Sequence, residues 1–311
     1  MLTSTGRTAR LRVIPVPGHG AEDVLVGSDG SVYTGTEDGS VFKVQPDGNR
    51  IERVGHTGGR PLGLEHLPDG RILVCDARRG LLALDPDDGA VEVLTDLVHG
   101  QRMVFCNNAA VARSGEIYFS DSSRLYSIDQ WKGDIVEDTR SGRLFRRDTD
   151  GSVDLLLDGL AFANGVALSA DESFVAVAES AARTVVRRWL TGPRAGETDK
   201  LAEDLPGYPD NIARGSDDLI WVTIGSPRDP VLELLQRAPL PVRRTAWKVP
   251  EALQPKPKRT VRVMALDDEG TVVHDLSADA ADFHMATGVR EHEGTVWLGS
   301  LVEPAVAFLE V

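Results

Sequence analysis

The chain has 311 residues, of which 41% are hydrophobic and 26% charged, the balance of a globular protein large enough for a substantial core. Acidic residues outnumber basic ones 48 to 34, and the formal charge of −14 repels phosphate backbones and anionic lipid, so nucleic-acid and membrane partners are not expected. The opening MLTSTGRTARLRVIPV holds no apolar run of signal-peptide length, no later stretch is long enough to cross a bilayer, and Cys75 and Cys106 make no disulfide framework; reduced, buried thiols and a cytoplasmic setting follow as expectations.

LRVIPV, before the first recognisable unit, reads as a strand. A unit then recurs: a polar residue, a short alternating apolar stretch, an Asp-Gly-like turn and a second strand. In chain order the copies are EDVLVGSDGSVYTG from Glu22, LGLEHLPDGRILVC from Leu62, NNAAVARSGEIYFS from Asn107, NGVALSADESFVAV from Asn164, DNIARGSDDLIWVT from Asp210 and TGVREHEGTVWLGS from Thr287. Ser, Asp and Gly at the turns accept the positive φ that tight hairpins need. Further strand-like stretches, such as SVFKVQPDG, GLLALDPDDG and VRVMALDDEG, follow most pairs. Four short strands per unit, six times over, predict an all-β, six-bladed β-propeller with four-stranded antiparallel blades. LRVIPV is expected to complete the last blade and close the ring, and residues 1–311 are expected to form a single domain. Residues 226–259, with apolar spacing around Val231 to Leu235 and many prolines, are expected to add a short helix and a covering loop over one face.

The repeats make a geometric prediction. In a propeller the first strand of each blade lines the central channel, so equivalent residues form a ring. The first position reads Glu22, Leu62, Asn107, Asn164, Asp210 and Thr287; the next adds Asp23, Asn108 and Asn211. The column eleven residues further on (Tyr33, Leu73, Tyr118, Val175 and Trp221, with Trp297 in the shorter copy) is apolar and aromatic, as packing between blades requires. Converging Glu, Asn, Asn and Asp side chains are costly to bury without a partner, and Ca²⁺ or another divalent cation, which accepts about six to eight oxygens, resolves that cost. A water-filled channel lined by hydrogen-bonded amides is the alternative.

The stretch from GRLFRRDTDG through FANGVALS to LPGYPDNI, together with YFSDSS at 118–123 and EHEGTVWLGSL at 291–301, resembles the strictosidine synthase-like family. That family stands with the six-bladed gluconolactonase, paraoxonase and diisopropyl-fluorophosphatase propellers. The resemblance implies a catalytic Ca²⁺ on Glu22, Asn107, Asn164 and Asp210, with Asn211 beside them. It also implies departures. The strictosidine synthase glutamate corresponds to Thr287, the paraoxonase histidine to Leu62, and the gluconolactonase arginine to Phe105.

A cation with open positions polarises a carbonyl or phosphoryl oxygen, with Asp210 as base or nucleophile, so lactone or ester hydrolysis is the expected chemistry. His19 and His284 precede the ring position by three residues in neighbouring blades and are candidate proton shuttles. Phe105, Phe162 and Tyr208, with Met285, stand two residues before the ring and predict an apolar mouth for a small-molecule substrate; Leu62 and Thr287 complete its wall. Asp76, Asp121 and Glu179 close second strands, where they either orient ligands or bond turns. A lyase, isomerase or condensing enzyme, or a non-catalytic binding propeller, remains compatible with the same residues.

Overall fold

The computed structural model describes residues 7–249, 258–279 and 281–311. Each repeat forms one blade. The inner strands are Leu25–Val26, Pro61–His66, Cys106–Val111, Ala163–Leu168, Gly207–Arg214 and Ala286–His292, and each begins a four-stranded antiparallel sheet. Blade 6 takes its outer strand from the other end of the chain: Arg12–Pro15 pairs antiparallel with Ala305–Glu310, so LRVIPV closes the ring as expected. Blade 5 gains a fifth, parallel strand, Arg7–Thr8. A small hairpin, Leu97–Val98 with Gln101–Arg102, precedes blade 3.

Apolar side chains of facing sheets bind neighbouring blades together. Leu73, Val175 and Trp221 are fully buried, while Tyr33, Tyr118 and Trp297 retain at most 8% exposure. They belong to clusters that each join two blades, as where Trp221 meets Val289, Val296 and Leu298. Full burial of one such side chain contributes about 1.5–3 kcal/mol. Cys75 and Cys106 are free and buried in one of these clusters.

The inner strands share an irregularity that shapes the site. Register shifts interrupt the pairing between Pro61 and Leu64, Cys106 and Ala109, Ala163 and Val166, Pro209 and Ile212, and Ala286 and Val289. The ring position and the one after it fall inside each interruption, where a bulge re-aims side chains.

The cover is more extensive than the sequence led us to expect. Of that stretch, residues 226–249 and 258–259 are described, and they supply two helices, α2 (Pro230–Gln236) and α3 (Leu240–Ala246), rather than one, while blade 3 contributes an unforeseen α1 (Trp131–Glu137). The three pack together. Gln236 Nε2 donates to the Ile135 carbonyl at 2.8 Å, and Glu137 Oε1 accepts from Tyr126 Oη at 2.6 Å and Trp247 Nε1 at 2.8 Å. Gly133 lets α1 approach this closely, since a Cβ there would stand 2.9 Å from Tyr126 and 3.0 Å from Trp247.

Candidate metal centre and cavity

In blades 3 and 4 the ring asparagine bonds to the serine that follows the second strand, and that partner sets its orientation. Asn107 Nδ2 donates to Ser122 Oγ at 2.8 Å, and Asn164 Nδ2 to Ser180 Oγ at 3.1 Å. The Ser122 hydroxyl donates its own proton to the Ala163 carbonyl at 2.7 Å, so it can only accept from Asn107. That fixes the amide with Oδ1 turned away from the serine. At the equivalent pair in blade 2, apolar Leu62 faces the same end of the second strand as Ala77, in one hydrophobic cluster. In blade 5 the facing residue is Gly225, where an added Cβ would lie 3.2 Å from Asp210 Oδ2.

The result is a set of oxygens with nothing to accept. Glu22 Oε2, Asn107 Oδ1, Asn164 Oδ1 and Asn211 Oδ1 are all buried without a hydrogen-bond donor. Glu22 Oε1 has one long contact, 3.4 Å from Asn211 Nδ2. Asp210 keeps a partly exposed face.

The position after the ring behaves differently. It alternates around the propeller: Asp23, Gly63, Asn108, Gly165, Asn211, Gly288. Each glycine admits the backbone of the following blade. A Cβ on Gly63, Gly165 or Gly288 would stand 2.7, 2.6 or 2.5 Å from the Cα of Asn108, Asn211 or Asp23 respectively. Asp23 Oδ2 accepts from Leu64 N and Asn108 Oδ1 from Val166 N, both at 2.9 Å, latching blade 1 to 2 and blade 3 to 4. Asn211 departs from the pattern, with its Nδ2 on Glu22 and its Oδ1 unpartnered.

Burial disturbs the carboxyls. Desolvation pushes Glu22 well above the usual range, reinforced by Asp23 and Asp210 and opposed by Arg60. Desolvation likewise raises Asp210 to about 7, against a hydrogen bond from Asn164 and with help from the Asp23 charge. Asp23 rises to about 6, chiefly by burial, with the Arg290 guanidinium working against that rise.

These residues fit a hard, oxygen-seeking cation. Two carboxylates with three amide oxygens are donors suited to calcium, and each orphaned oxygen gains what it lacks. Among the described residues no group of three or more His, Cys, Asp or Glu side chains is placed to hold a metal ion, so an ion here would depend on the asparagine oxygens beside the two carboxylates.

Above the ring lies a cavity of about 160 Å³. Glu22, Asn107, Asn164, Asp210 and Thr287 contribute to its lining, as do Leu62, Phe105, Phe162, Tyr208 and Met285. Phe105 and Phe162 meet edge to face, ring centroids 5.5 Å apart. The cover adds Ile128, Trp131, Ile135 and Leu232. No Lys, Arg or His stands among the described residues lining this cavity. The two candidate histidines are not among the lining residues. His19 is exposed, and His284 Nδ1 is paired with Glu303, which also binds Arg259.

Comparison with known proteins places this geometry in a family. The strictosidine synthase family matches residues 107–193, and the strictosidine synthase-like N-terminal family matches residues 7–44. Protein STRICTOSIDINE SYNTHASE-LIKE 6 of Arabidopsis thaliana is 32% identical over 275 residues, covering 86% of this chain and 73% of that protein. The chain belongs to the strictosidine synthase-like family. Adipocyte plasma membrane-associated protein of Rattus norvegicus is also 32% identical to this strictosidine synthase-like chain, over 307 residues and 90% and 80% of the two lengths. Among solved structures, a gluconolactonase of Xanthomonas campestris superposes with a TM-score of 0.70 at 17% identity, covering 97% of this chain and 89% of that one. The calcium-binding protein regucalcin of Agrobacterium tumefaciens gives 0.69 at 13%, covering 98% and 95%. At those identities the likeness is one of fold. No helix among the described residues is long and apolar enough to cross a membrane.

Within this strictosidine synthase-like chain, Thr287 is already committed: its Oγ1 donates to the Glu22 carbonyl at 2.7 Å. Asp76, Asp121 and Glu179 bind backbone N–H groups of Arg60, Phe105 and Ala161 and so hold the loops that enter the inner strands. Sequence reasoning missed Ser122 and Ser180. Their signal was present, since a serine follows the acidic second-strand terminus in both blades whose ring residue is Asn, and an alanine follows it where that residue is Leu.

Proposed function

We propose that the chain is a divalent-cation-dependent hydrolase of neutral lactones or esters that carry an apolar part, with calcium as the preferred ion. The observation that carries this reading is the set of buried, unpartnered oxygens of Glu22, Asn107, Asn164 and Asn211 below an otherwise apolar cavity. Glu22, Asn107, Asn164 and Asp210 would hold the ion, with Asn211 beside them. When bound, such an ion supplies Lewis acidity toward a carbonyl oxygen and stabilises the negative charge that develops on it.

The chain's own groups do the rest. Asp210 has the exposure to meet a water or substrate, which suits a general base. Phe105, Phe162, Leu62 and Met285 would hold an acyl or aromatic group, and α1 and α2 would exclude bulk water above it. With no cationic side chain among the described lining residues, the wall favours a neutral substrate over a sugar acid. The glutamate of the condensing relatives is replaced by Thr287, whose hydroxyl is occupied, and this favours hydrolysis over condensation.

Phenyl acetate and a series of alkyl-substituted lactones, assayed with calcium and with excess chelator, test the reading. Hydrolysis that disappears with chelator, returns with calcium and is lost in Asp210→Asn is expected. Calcium binding without turnover of any ester or lactone, or turnover indifferent to chelator, would overturn it.

A further inference from the structure

The outer side of the cover is unlike the rest of the surface. Thirteen large aliphatic side chains are exposed among the described residues, and five of them (Val231, Leu234, Leu240, Val242 and Val249) belong to α2, α3 and the residues just after them. Val231 and Leu234, three apart on one side of α2, are 59% and 70% exposed. Leu125, 65% exposed, borders this group, because the next residue, Tyr126, meets Trp247 edge to face with ring centroids 5.5 Å apart. Single exposed aliphatics are ordinary on a folded chain, but a concentration of them marks a surface that meets something apolar. On its inner side α2 is apolar as well, since Leu232 lines the cavity and packs with Phe105, Phe162 and Ile135.

The same stretch reverses the charge of the chain. Residues 226–249 carry five cations, Arg228, Arg237, Arg243, Arg244 and Lys248, against two carboxylates, Asp229 and Glu233, while the whole chain carries −14. Glu233 is taken up by a two-point pair with Arg228, and Asp229 caps α2. Arg237, Arg244 and Lys248 are exposed among the aliphatics. On one flank of α2, toward blade 4, a cleft of about 490 Å³ is lined by Arg140, Arg183, Lys200, Arg228 and Arg237 against three carboxylates. Exposed charges are screened beyond about 10 Å, so this face acts by its own charge and not by the chain's average.

We propose that the outer side of the cover docks on an anionic lipid–water interface, with the aliphatic side chains of α2 and α3 entering the headgroup layer and Arg237, Arg244 and Lys248 meeting its anions. Cations interspersed with exposed aliphatics are the chemistry that such an interface recognises. An acidic protein would match the charge; a lipid surface matches the charge and also concentrates the apolar compounds that the cavity under α2 fits. Whole-chain charge argues against membranes only because it averages over faces of opposite sign. The surface goes beyond the hydrolase reading and does not depend on it.

Co-sedimentation of the full chain with vesicles of phosphatidylcholine alone, and of phosphatidylcholine with phosphatidylserine, tests this. Excess chelator is present, so that no divalent ion bridges protein and lipid. Binding to the anionic vesicles only, weakened by added salt, is expected. Arg237→Gln with Lys248→Gln is expected to lower the partition coefficient about thirtyfold, roughly fivefold per charge. Val231→Ser with Leu234→Ser is expected to lower it about tenfold. Leu155→Ser, at an exposed aliphatic on the outer strand of blade 3, is expected to leave it unchanged. All these positions are exposed, and an unchanged melting temperature shows that each variant is folded. No binding to anionic vesicles, equal binding to both kinds, or wild-type binding by either paired variant overturns the proposal, as does an equal loss in Leu155→Ser. A wild type that dimerises without binding vesicles, and that Val231→Ser with Leu234→Ser makes monomeric, assigns the face to a second copy and also overturns it.

Discussion

Two adjacent layers of the channel are built from the same kinds of side chain and end in opposite states. In the ring, Glu22, Asn107 and Asn164 each leave an oxygen without a partner. One residue further along each strand, Asp23 and Asn108 spend theirs on the backbone N–H of the next blade. Chemical type therefore does not tell a ligand from a structural latch. Hydrogen-bond accounting does, because buried acceptors without donors are rare in folded chains. Asn211 stands between the two, placed in the latch layer but bonded toward Glu22, which gives it a share in the site.

The largest expected effect that separates the layers is on turnover. Asp210→Asn removes the partly exposed carboxylate at the ring and is expected to lower kcat by roughly 10²–10⁴, the contribution of a positioned general base. Asn108→Ala, in the latch layer, is expected to leave kcat and calcium affinity near the wild type. Its expected effect is a loss of about 1–3 kcal/mol of stability in urea unfolding, since Val166 N loses its acceptor.

Proton linkage gives the next effect. The folded Asp210 titrates near 7 against an ordinary 3.8, so the folded, cation-free protein binds more protons than the unfolded chain between those values. Stability of the cation-free protein is then expected to fall as pH rises from about 4 to 7. Calcium must displace those protons, so its affinity is expected to rise over the same window. Thermal melts at pH 5 and pH 8, each with calcium and with chelator, check both signs. Stabilisation by calcium that is equal at the two pH values would contradict the assignment of Asp210.

The smallest effect concerns the serine behind the ligand. Ser122→Ala removes the acceptor for Asn107 Nδ2 and frees the amide to turn, and a loss of about 3–10-fold in calcium affinity is expected with little change in unfolding midpoint. An equal loss of affinity and stability would make Ser122 a packing residue instead.

Six blades, the closing strand and the first-position column are legible in the sequence because hairpin turns punctuate it at regular intervals and the column differs in polarity from the core positions. Other parts are harder to read. The spacing of Ile128, Trp131 and Ile135 is helical, yet Gly133 inside α1 argues against a helix until its packing against Tyr126 and Trp247 is known. The shared offset of His19 and His284 carries no information about direction, because both lie before the inner strands begin, and Glu303, distant in sequence, captures His284. The latches are readable only in retrospect. The alternation of polar residue and glycine after the ring position has a meaning once the neighbouring backbone is seen to occupy the missing Cβ.

The central claim, that unpartnered ring oxygens hold a divalent cation while their satisfied neighbours do not, is tested most directly by calorimetric calcium titration of the wild type, Asn164→Ala and Asn108→Ala. One bound ion in the wild type, a loss of affinity in Asn164→Ala and wild-type affinity in Asn108→Ala are predicted. Absence of binding to the wild type, or equal losses in the two variants, would contradict it.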